Sequence, residues 1–504
     1  VNALTTACWR RSRWWLLGMT VVLGCLTGPA LSTASGAVQG KPNILFIFAD
    51  DQCHETIRAL GDTEVQTPNL DRLARSGVAF TNAYNMGSWT GAVCVASRTM
   101  LNTGRFVWRA HHAKLAEVML REQSWPHLMR SAGYETYMTG KWHVGGLKTS
   151  TVFDHVVHER PGMPNQTPEG YQRPVEDQPD KWSPYDPKFG GFWKGGEHWS
   201  AVLGDDATEF LERAATKDKP FFMYLAFNAP HDPRQSPKRF VDMYPQEQIR
   251  VPDSFLPKYP YMSKIGLHRT SHSKDGKIAH SFLRDENLAP WPRTEYAVRV
   301  HRQEYYAIIT HMDEQIGRIL TALEKTGKAD NTYVFFTADH GLACGHHGLM
   351  GKQNMYEHSM RPPLIVRGPE IPKGERRRAC VYLQDIMATT LDLAGVPKPD
   401  FVEFHSLLPY IRDPDCKSAY DAIYGCYLAD LQRMVRVGDW KLIVYPKAKV
   451  VRLFNLADDP QETNDLAADA GQKDRIGDLF ARLLKLQEQM DDSLDLRAAF
   501  PDLE

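Results

Sequence analysis

Two pairs of neighbouring ionisable residues stand directly after apolar runs. Asp50-Asp51 follows Asn43–Ala49 (NILFIFA), and Asp339-His340 follows residues 333–338 (YVFFTA). A short, continuous apolar run reads as a strand buried on both faces. Ligand sites in α/β sheets gather at the carboxyl ends of such strands. Carboxylate oxygens there suit a hard divalent cation. The two pairs describe one candidate cation site supplied from two strands, with His340 as an imidazole partner.

Basic and nucleophilic residues recur at similar places. Lys141-Trp142-His143 follows a predicted strand at 134–139, and Pro230-His231 follows one at 221–227. Lys352 closes a segment that begins at Gly341 and holds His346 and His347. Cys94-Val95-Ala96-Ser97-Arg98 leads into a helical stretch at 96–101. A thiol at a helix N-terminus has a lowered pKa, and Arg98 adds positive charge. From these residues alone Cys94 is either an activated nucleophile or a buried, inert thiol. Each basic residue taken singly could equally be a solvated surface group. Together, Arg98, Lys141, His143, His231 and Lys352 beside a dication would make an anion pocket. Such a pocket suits transfer of a tetrahedral oxyanion group, where catalysis is mainly positioning and charge stabilisation.

The elements that must position these residues alternate. A helix at 68–76 stopped by Gly77, a strand at 78–84, a helix at 296–323, a strand at 363–366 and a helix over Asp385–Leu393 join the strands already named. The 296–323 helix carries Ile308, Ile309, Met312, Ile316, Ile319, Leu320 and Leu323 at helical spacing. The alternation predicts an α/β fold with a parallel-rich sheet covered on both faces. From about Lys417 the pattern changes to closely spaced strands at 422–426, 433–437, 441–445 and 451–455, then a helix at 474–490. That is a small antiparallel sheet with a helix. Residues 161–198 and 253–292 read as long loops. They carry Trp182, Trp193, Trp199 and Trp291, which could stack on sugar rings or simply pack the loops.

Composition narrows the class. The 504 residues are 42% apolar and 11% aromatic with a formal net charge of -1, which gives no reason to expect nucleic acid or an acidic membrane as partner. Arg10, Arg11 and Arg13 precede an apolar run at 14–26 and then small and polar residues to Gly40. This reads as a signal peptide over residues 1–37, cleaved after Ala34 or Ala37, and predicts export to the periplasm or beyond. A lipidated Cys25, giving a lipid anchor, is the alternative. No other stretch is long and apolar enough to span a bilayer. Six cysteines lie beyond the signal, with no Cys-x-x-Cys for a structural zinc. Cys416 and Cys426 are close enough in sequence to pair.

These residues resemble the sulfatase family of the alkaline phosphatase superfamily. Cys94-Val95-Ala96-Ser97-Arg98 with Leu101, Thr103, Gly104 and Arg105 is similar to the family's Cys-x-Pro/Ala-x-Arg signature. The segments Pro68-Asn69-Leu70-Asp71, Gly140-Lys141-Trp142-His143, Ala229-Pro230-His231, Met312-Asp313, Asp339-His340-Gly341, His347-Gly348, Gly351-Lys352, Tyr356-Glu357 with Arg361, and Leu453-Phe454-Asn455 with Glu462 match in order. The resemblance implies a large mixed, mostly parallel sheet sandwiched by helices (alkaline phosphatase-like). It implies a catalytic domain at 40–410 and a smaller C-terminal α+β subdomain at 411–504. It implies that a maturation enzyme converts Cys94 to formylglycine, whose hydrate supplies the nucleophile against a sulfated small molecule or saccharide. A calcium ion would be held by Asp50, Asp51, Asp339, His340 and the modified residue 94. Arg98 would hold that residue, Lys141 and Lys352 the sulfate oxygens. His231, with Lys352, would attend the leaving alcohol, and His143 would take a proton. Ala96 stands where Pro is commonest, and His340 where many relatives have Asn. Two other readings are a phosphoesterase of the same superfamily and a non-catalytic secreted sugar-binding protein.

Overall fold

Side-chain alternation along the first strand sets the architecture. In Asn43–Ala49, Ile44, Phe46 and Phe48 enter one apolar core while Leu45, Ile47 and Ala49 enter another. Both faces are sealed, which is why the run is apolar throughout. The computed structural model describes residues 40–503 apart from 166 and 273–277; the segment read as a signal peptide, with Cys25, lies outside the described residues.

Strands β1 (Asn43–Ala49), β2 (Val78–Phe80), β3 (Glu135–Lys141), β4 (His155–Arg160), β5 (Phe221–Ala226), β6 (Thr332–Ala338), β7 (Leu364–Arg367) and β8 (Glu375–Arg377) form an eight-stranded sheet in the order β8-β2-β7-β6-β1-β5-β3-β4. Only β7 runs against its neighbours. Helices α1 (Pro68–Arg75), α2 (Val93–Thr103), α3 (Trp125–Ser131), α4 (Trp199–Ala215), α5 (Glu295–Lys325) and α6 (Asp385–Leu393) cover it. Leu70 and Leu73 of α1, Leu203 and Phe210 of α4, and Met312, Ile316 and Ile319 of α5 fill one face. Leu101 of α2, Trp125 and Met129 of α3, and Ile386 and Leu391 of α6 fill the other. The α/β sandwich expected from the sequence is the fold observed.

The C-terminal strands β9 (Ile423–Tyr427), β10 (Gln432–Val437), β11 (Trp440–Tyr445) and β12 (Val450–Asn455) form an antiparallel meander. Helix α7 (Lys473–Met490) supplies Leu479, Phe480 and Leu483 to the same core as Met434 and Leu442. The meander takes in Gly87–Ser88, parallel to β9, as a fifth strand. That short strand lies just upstream of Cys94. Contacts are continuous across residues 40–504, which form one unit. Among the described residues, no helix is long and apolar enough to cross a membrane.

Two expectations change. Cys416 and Cys426 do not pair: all six described cysteines are free, Cys426 within the meander's core and Cys416 against the main sheet's core. The stretches 161–198 and 253–292 are not simply irregular, since they hold strand pairs Trp193–Lys194 with Glu197–His198 and His268–His272 with Ile278–Phe282.

One bend matters for the site. The register between β3 and β4 slips between Thr139 and Gly140, a bulge of the kind that re-aims the next side chain, here Lys141. Gly140 has φ +94°, and a Cβ there would lie 1.9 Å from the carbonyl oxygen of Ala226. Gly140→Ala is therefore expected to cost about 2–4 kcal/mol of stability. The measurement is the urea midpoint; a wild-type midpoint would mean that the bulge is not under this constraint.

Candidate active site

Strand pairing delivers the chemistry to one sheet edge. Ala49 is in register with Ala338, and Ala226 pairs with both Phe48 and Gly140. The residues just beyond these ends are Asp50-Asp51, Asp339-His340, Lys141 and the turn that carries His231. Helix α2 approaches from one side. It begins at Val93, so Cys94 lies inside its first turn and not ahead of it, where backbone N–H groups lack helical partners. Arg98 follows one turn later on the same face.

Three buried carboxylates meet three buried cations here. Arg98 donates from Nε to Asp339 Oδ2 at 3.0 Å and from Nη1 to the carbonyl of Lys141 at 2.8 Å. Its Nη2 lies 3.9 Å from Asp50 Oδ1, and its guanidinium sits over Phe48 at 4.5 Å. Lys141 Nζ donates to Asp50 Oδ2. Lys352 Nζ donates to both oxygens of Asp51 at 2.8 and 2.9 Å. Asp51 holds φ +70° and donates its backbone N–H to Asp339 Oδ1 at 3.2 Å, which ties the two strand ends together.

Burial alone would raise Asp50 and Asp51. At Asp50 the cations, Lys141 first and then Arg98 and Lys352, reverse that and hold it well below the usual carboxylate range. At Asp51 burial wins despite Lys352, with Asp50 and Asp339 adding repulsion, and the carboxyl is pushed up. Lys352 is raised against the effect of its own burial, chiefly by Asp51. Cys94 would be raised by burial, but the charges of Lys141 and Lys352 bring its thiol below the ordinary value. Its Sγ lies 3.4 Å from His143 Nδ1. Burial, then Lys141 and Arg98, holds His143 at about 4, so the imidazole is neutral near pH 7. His231 is depressed by burial and Lys352. Its Nδ1 meets the carbonyl of Asp232 at 2.7 Å, so Nδ1 carries the proton.

The donor set fits a divalent cation. Ligand atoms of Asp50, Cys94, Asp339 and His340 lie within 4.8 Å of one another, as do those of Asp50, Asp51 and His231. Asp50 Oδ1 and His340 Nε2 are buried without a hydrogen-bond partner. His340 Nδ1 donates to the carbonyl of Gly341 at 2.8 Å, which leaves a lone pair on Nε2, 3.2 Å from Asp51 Oδ1. Buried acceptors left without a donor among carboxylates are costly unless a cation or donor reaches them.

The residues singled out from the sequence thus converge: Asp50, Asp51, Cys94, Arg98, Lys141, His143, His231, Asp339, His340 and Lys352 form one contact network. Others serve differently. His347 stacks on Tyr356 with ring centroids 4.0 Å apart, and His346 stacks on His358 at 4.8 Å. Asp313 accepts the backbone N–H groups of Asn69 and Leu70 and so fixes the start of α1. Glu357 and Glu462 share Lys441, joining the meander to the main sheet. Trp182 and Trp199 are core residues against Phe189 and Phe192, which removes them as sugar platforms. Trp193 stands edge-on to His198, and Trp291 lies under the Arg293 guanidinium. Sequence reasoning missed Arg284, whose Nη2 lies 3.3 Å from His231 Nε2, and its partner Asp232. Arg284 sits in a long loop with no periodic signal to mark it.

Residues 42–396 match the Sulfatase family, and residues 345–489 match the N-sulphoglucosamine sulphohydrolase C-terminal family. N-acetylglucosamine-6-O-sulfatase of Bacteroides thetaiotaomicron is 28% identical, over 92% of this chain and 90% of its own length. The ulvan-active sulfatase of Formosa agariphila is 26% identical, over 91% and 83%. A solved structure of a protein with its substrate D-glucosamine-2-N,6-O-disulfate superposes with a TM-score of 0.70 at 25% identity, covering 90% of this chain and 99% of that one. Phosphonate monoester hydrolase of Silicibacter pomeroyi shares the fold, with a TM-score of 0.71 at 21% identity over 90% and 96%. A family match that spans most of the chain, at a sheet edge whose charges suit an oxyanion, places this protein in the sulfatase family.

Proposed function

We propose that this enzyme hydrolyses sulfate esters of a carbohydrate, with a formylglycine made from Cys94 by a maturation enzyme and a calcium ion held by Asp50, Asp51, Asp339, His340 and residue 94. The observation that carries the reading is the position of Cys94: a helix-terminal thiol set among buried Lys141 and Lys352 and against His143. The carbohydrate rests on the N-acetylglucosamine-6-O-sulfatase and ulvan-active sulfatase relatives and on the disulfated glucosamine complex. Calcium would supply Lewis-acid polarisation of the sulfate oxygens, and hydrated formylglycine the attacking hydroxyl.

The chain's own residues do the rest. With His143 and His231 neutral, the three carboxylates balance Arg98, Lys141 and Lys352. A dication therefore leaves the site positive, which favours an anionic ester. Lys141 and Lys352 turn their ammonium groups from Asp50 and Asp51 to the sulfate oxygens. Arg98 keeps residue 94 and Asp339 in place. His143 accepts a proton at Nδ1 from the group at position 94. His231, with Lys352, faces the leaving oxygen. Residues 1–37 would be removed on export to the periplasm or beyond, with a lipidated Cys25 as the alternative anchor. Residues 40–410 would form the catalytic domain, and 411–504 would close one side of it.

The test compares one aryl group as sulfate and as phosphate. The matured enzyme should show a kcat/KM at least about 100-fold higher on the sulfate, a difference of ~2.7 kcal/mol in transition-state binding. Faster turnover of the phosphate would make it a phosphoesterase.

A further inference from the structure

Beside His231 the sheet edge carries a second polar group set that the sulfate chemistry leaves unused. Arg284 donates from Nη1 to Asp232 Oδ2 and from Nη2 to Asp285 Oδ1. Gln353 donates from Nε2 to Asp285 Oδ2 at 2.7 Å. Tyr171 offers its hydroxyl to Asp232 Oδ2 at 3.4 Å, and Arg284 Nη1 lies 3.5 Å from that hydroxyl. Asp232 and Asp285 are almost completely buried, whereas the Arg284 side chain is 23% exposed. Tyr171 also lines a cleft of about 370 Å³ formed by residues 168–181.

From this geometry we infer that Arg284, held in place by Asp232 and Asp285, recognises with Tyr171 the sugar that bears the scissile sulfate, and that they read its neutral hydroxyl groups. This rests on the sulfatase reading above and extends it to the leaving group. Three features support it. Arg284 Nη2 lies 3.3 Å from Nε2 of His231, the residue proposed to face the leaving oxygen, so the set lies on the sugar side of the bond being broken. Its guanidinium is already matched by two carboxylates, so the group has little net attraction for a second anion on the substrate. Its partly exposed guanidinium, held by Asp232 and Asp285, instead offers N–H donors beside the Tyr171 hydroxyl to the neutral hydroxyl oxygens of a ring.

The test uses 4-nitrophenyl sulfate as a probe without hydroxyls, and glucose 6-sulfate, galactose 6-sulfate and N-acetylglucosamine 6-sulfate as saccharide probes. Arg284→Met should lower kcat/KM on the best saccharide by about 30-fold more than on the aryl sulfate, the value of one or two hydrogen bonds to a charged group. Deleting the ring hydroxyl that Arg284 contacts should lower wild-type turnover by about the same factor and leave Arg284→Met no worse, since both remove one interaction. Tyr171→Phe, which removes a single oxygen, should give a smaller loss in the same direction. Thermal unfolding of each variant separates misfolding from altered recognition. Equal losses on both probe types, or additive losses with the deoxy sugar, would overturn the inference while leaving the sulfatase reading intact. A wild-type enzyme that cleaves the aryl sulfate and none of the saccharides would overturn it as well. Failure of wild type on the aryl sulfate too would count against the sulfatase reading itself.

Discussion

Cys94→Ser yields a folded protein whose steady-state sulfatase rate falls at least about ten-thousand-fold, ~5.5 kcal/mol of transition-state stabilisation. The side chain is buried and the replacement is close in shape, so the helix start and the Arg98 contacts should persist. The chemistry does not persist. A serine has one oxygen. That oxygen can attack sulfur, but no second O–H remains whose proton His143 could take to expel sulfate. The variant should therefore stop after one event, with a sulfuryl group on the peptide that spans position 94. Cys94→Ala should be equally slow and carry no adduct. In wild type the same peptide should react with a hydrazide, the signature of an aldehyde. Mass spectrometry of the three peptides with steady-state rates decides the matter. Multiple turnovers by Cys94→Ser, or full activity from protein with an unmodified thiol, would sink the role assigned to Cys94.

The catalytic edge was largely legible in the sequence because its strands are buried on both faces. A doubly buried strand must be apolar throughout, so its end is marked abruptly by the first charged residue, as at Ala49-Asp50 and Ala338-Asp339. Elements without that contrast were missed. Strand β4 lies at the sheet edge with several exposed side chains, and its sequence HVVHER carries no clear period. Helix α4 follows directly on the short strand Glu197–His198, with His198 as its N-cap, and so was hidden behind a stretch that reads as loop. Tryptophans in a loop gave no sign of which face they would take; Trp182 and Trp199 turned inward because Phe189 and Phe192 offered them apolar surface. Arg284 shows the same limit from the functional side. Its importance comes from contacts with Asp232 and His231, some fifty residues away, and spacing along a loop cannot encode them.

The second large effect concerns Asp50, which belongs to both the proposed cation site and the proposed anion pocket. Its Oδ2 accepts from Lys141, while its Oδ1 is buried without a hydrogen-bond partner, 3.9 Å from Arg98 Nη2, and one of its oxygens lies within 4.8 Å of ligand atoms of Cys94, Asp339 and His340. Asp50→Asn separates the two duties. The amide oxygen can keep the Lys141 hydrogen bond, so the fold and the bulge at Gly140 should survive. The amide nitrogen then points an N–H where a lone pair is needed, and one negative charge is gone from a cluster whose carboxylates only just match its cations. Calcium affinity, measured by isothermal titration on the matured protein, should fall about 100-fold, the scale on which lost ligand-field partners act. At calcium levels that saturate wild type, kcat/KM should fall about 1000-fold or more. Excess calcium should recover part of that loss, because a weakened site refills by mass action. Asp339 is a poorer choice for the same experiment. Both its oxygens already accept, one from Arg98 and one from the backbone of Asp51, so an amide there would oppose a donor to a donor and disturb the strand ends themselves. If Asp50→Asn bound calcium as tightly as wild type, the unpartnered oxygen would have to be explained by something other than a cation. The ligand set would then have to be rebuilt around Asp51, Asp339 and His340.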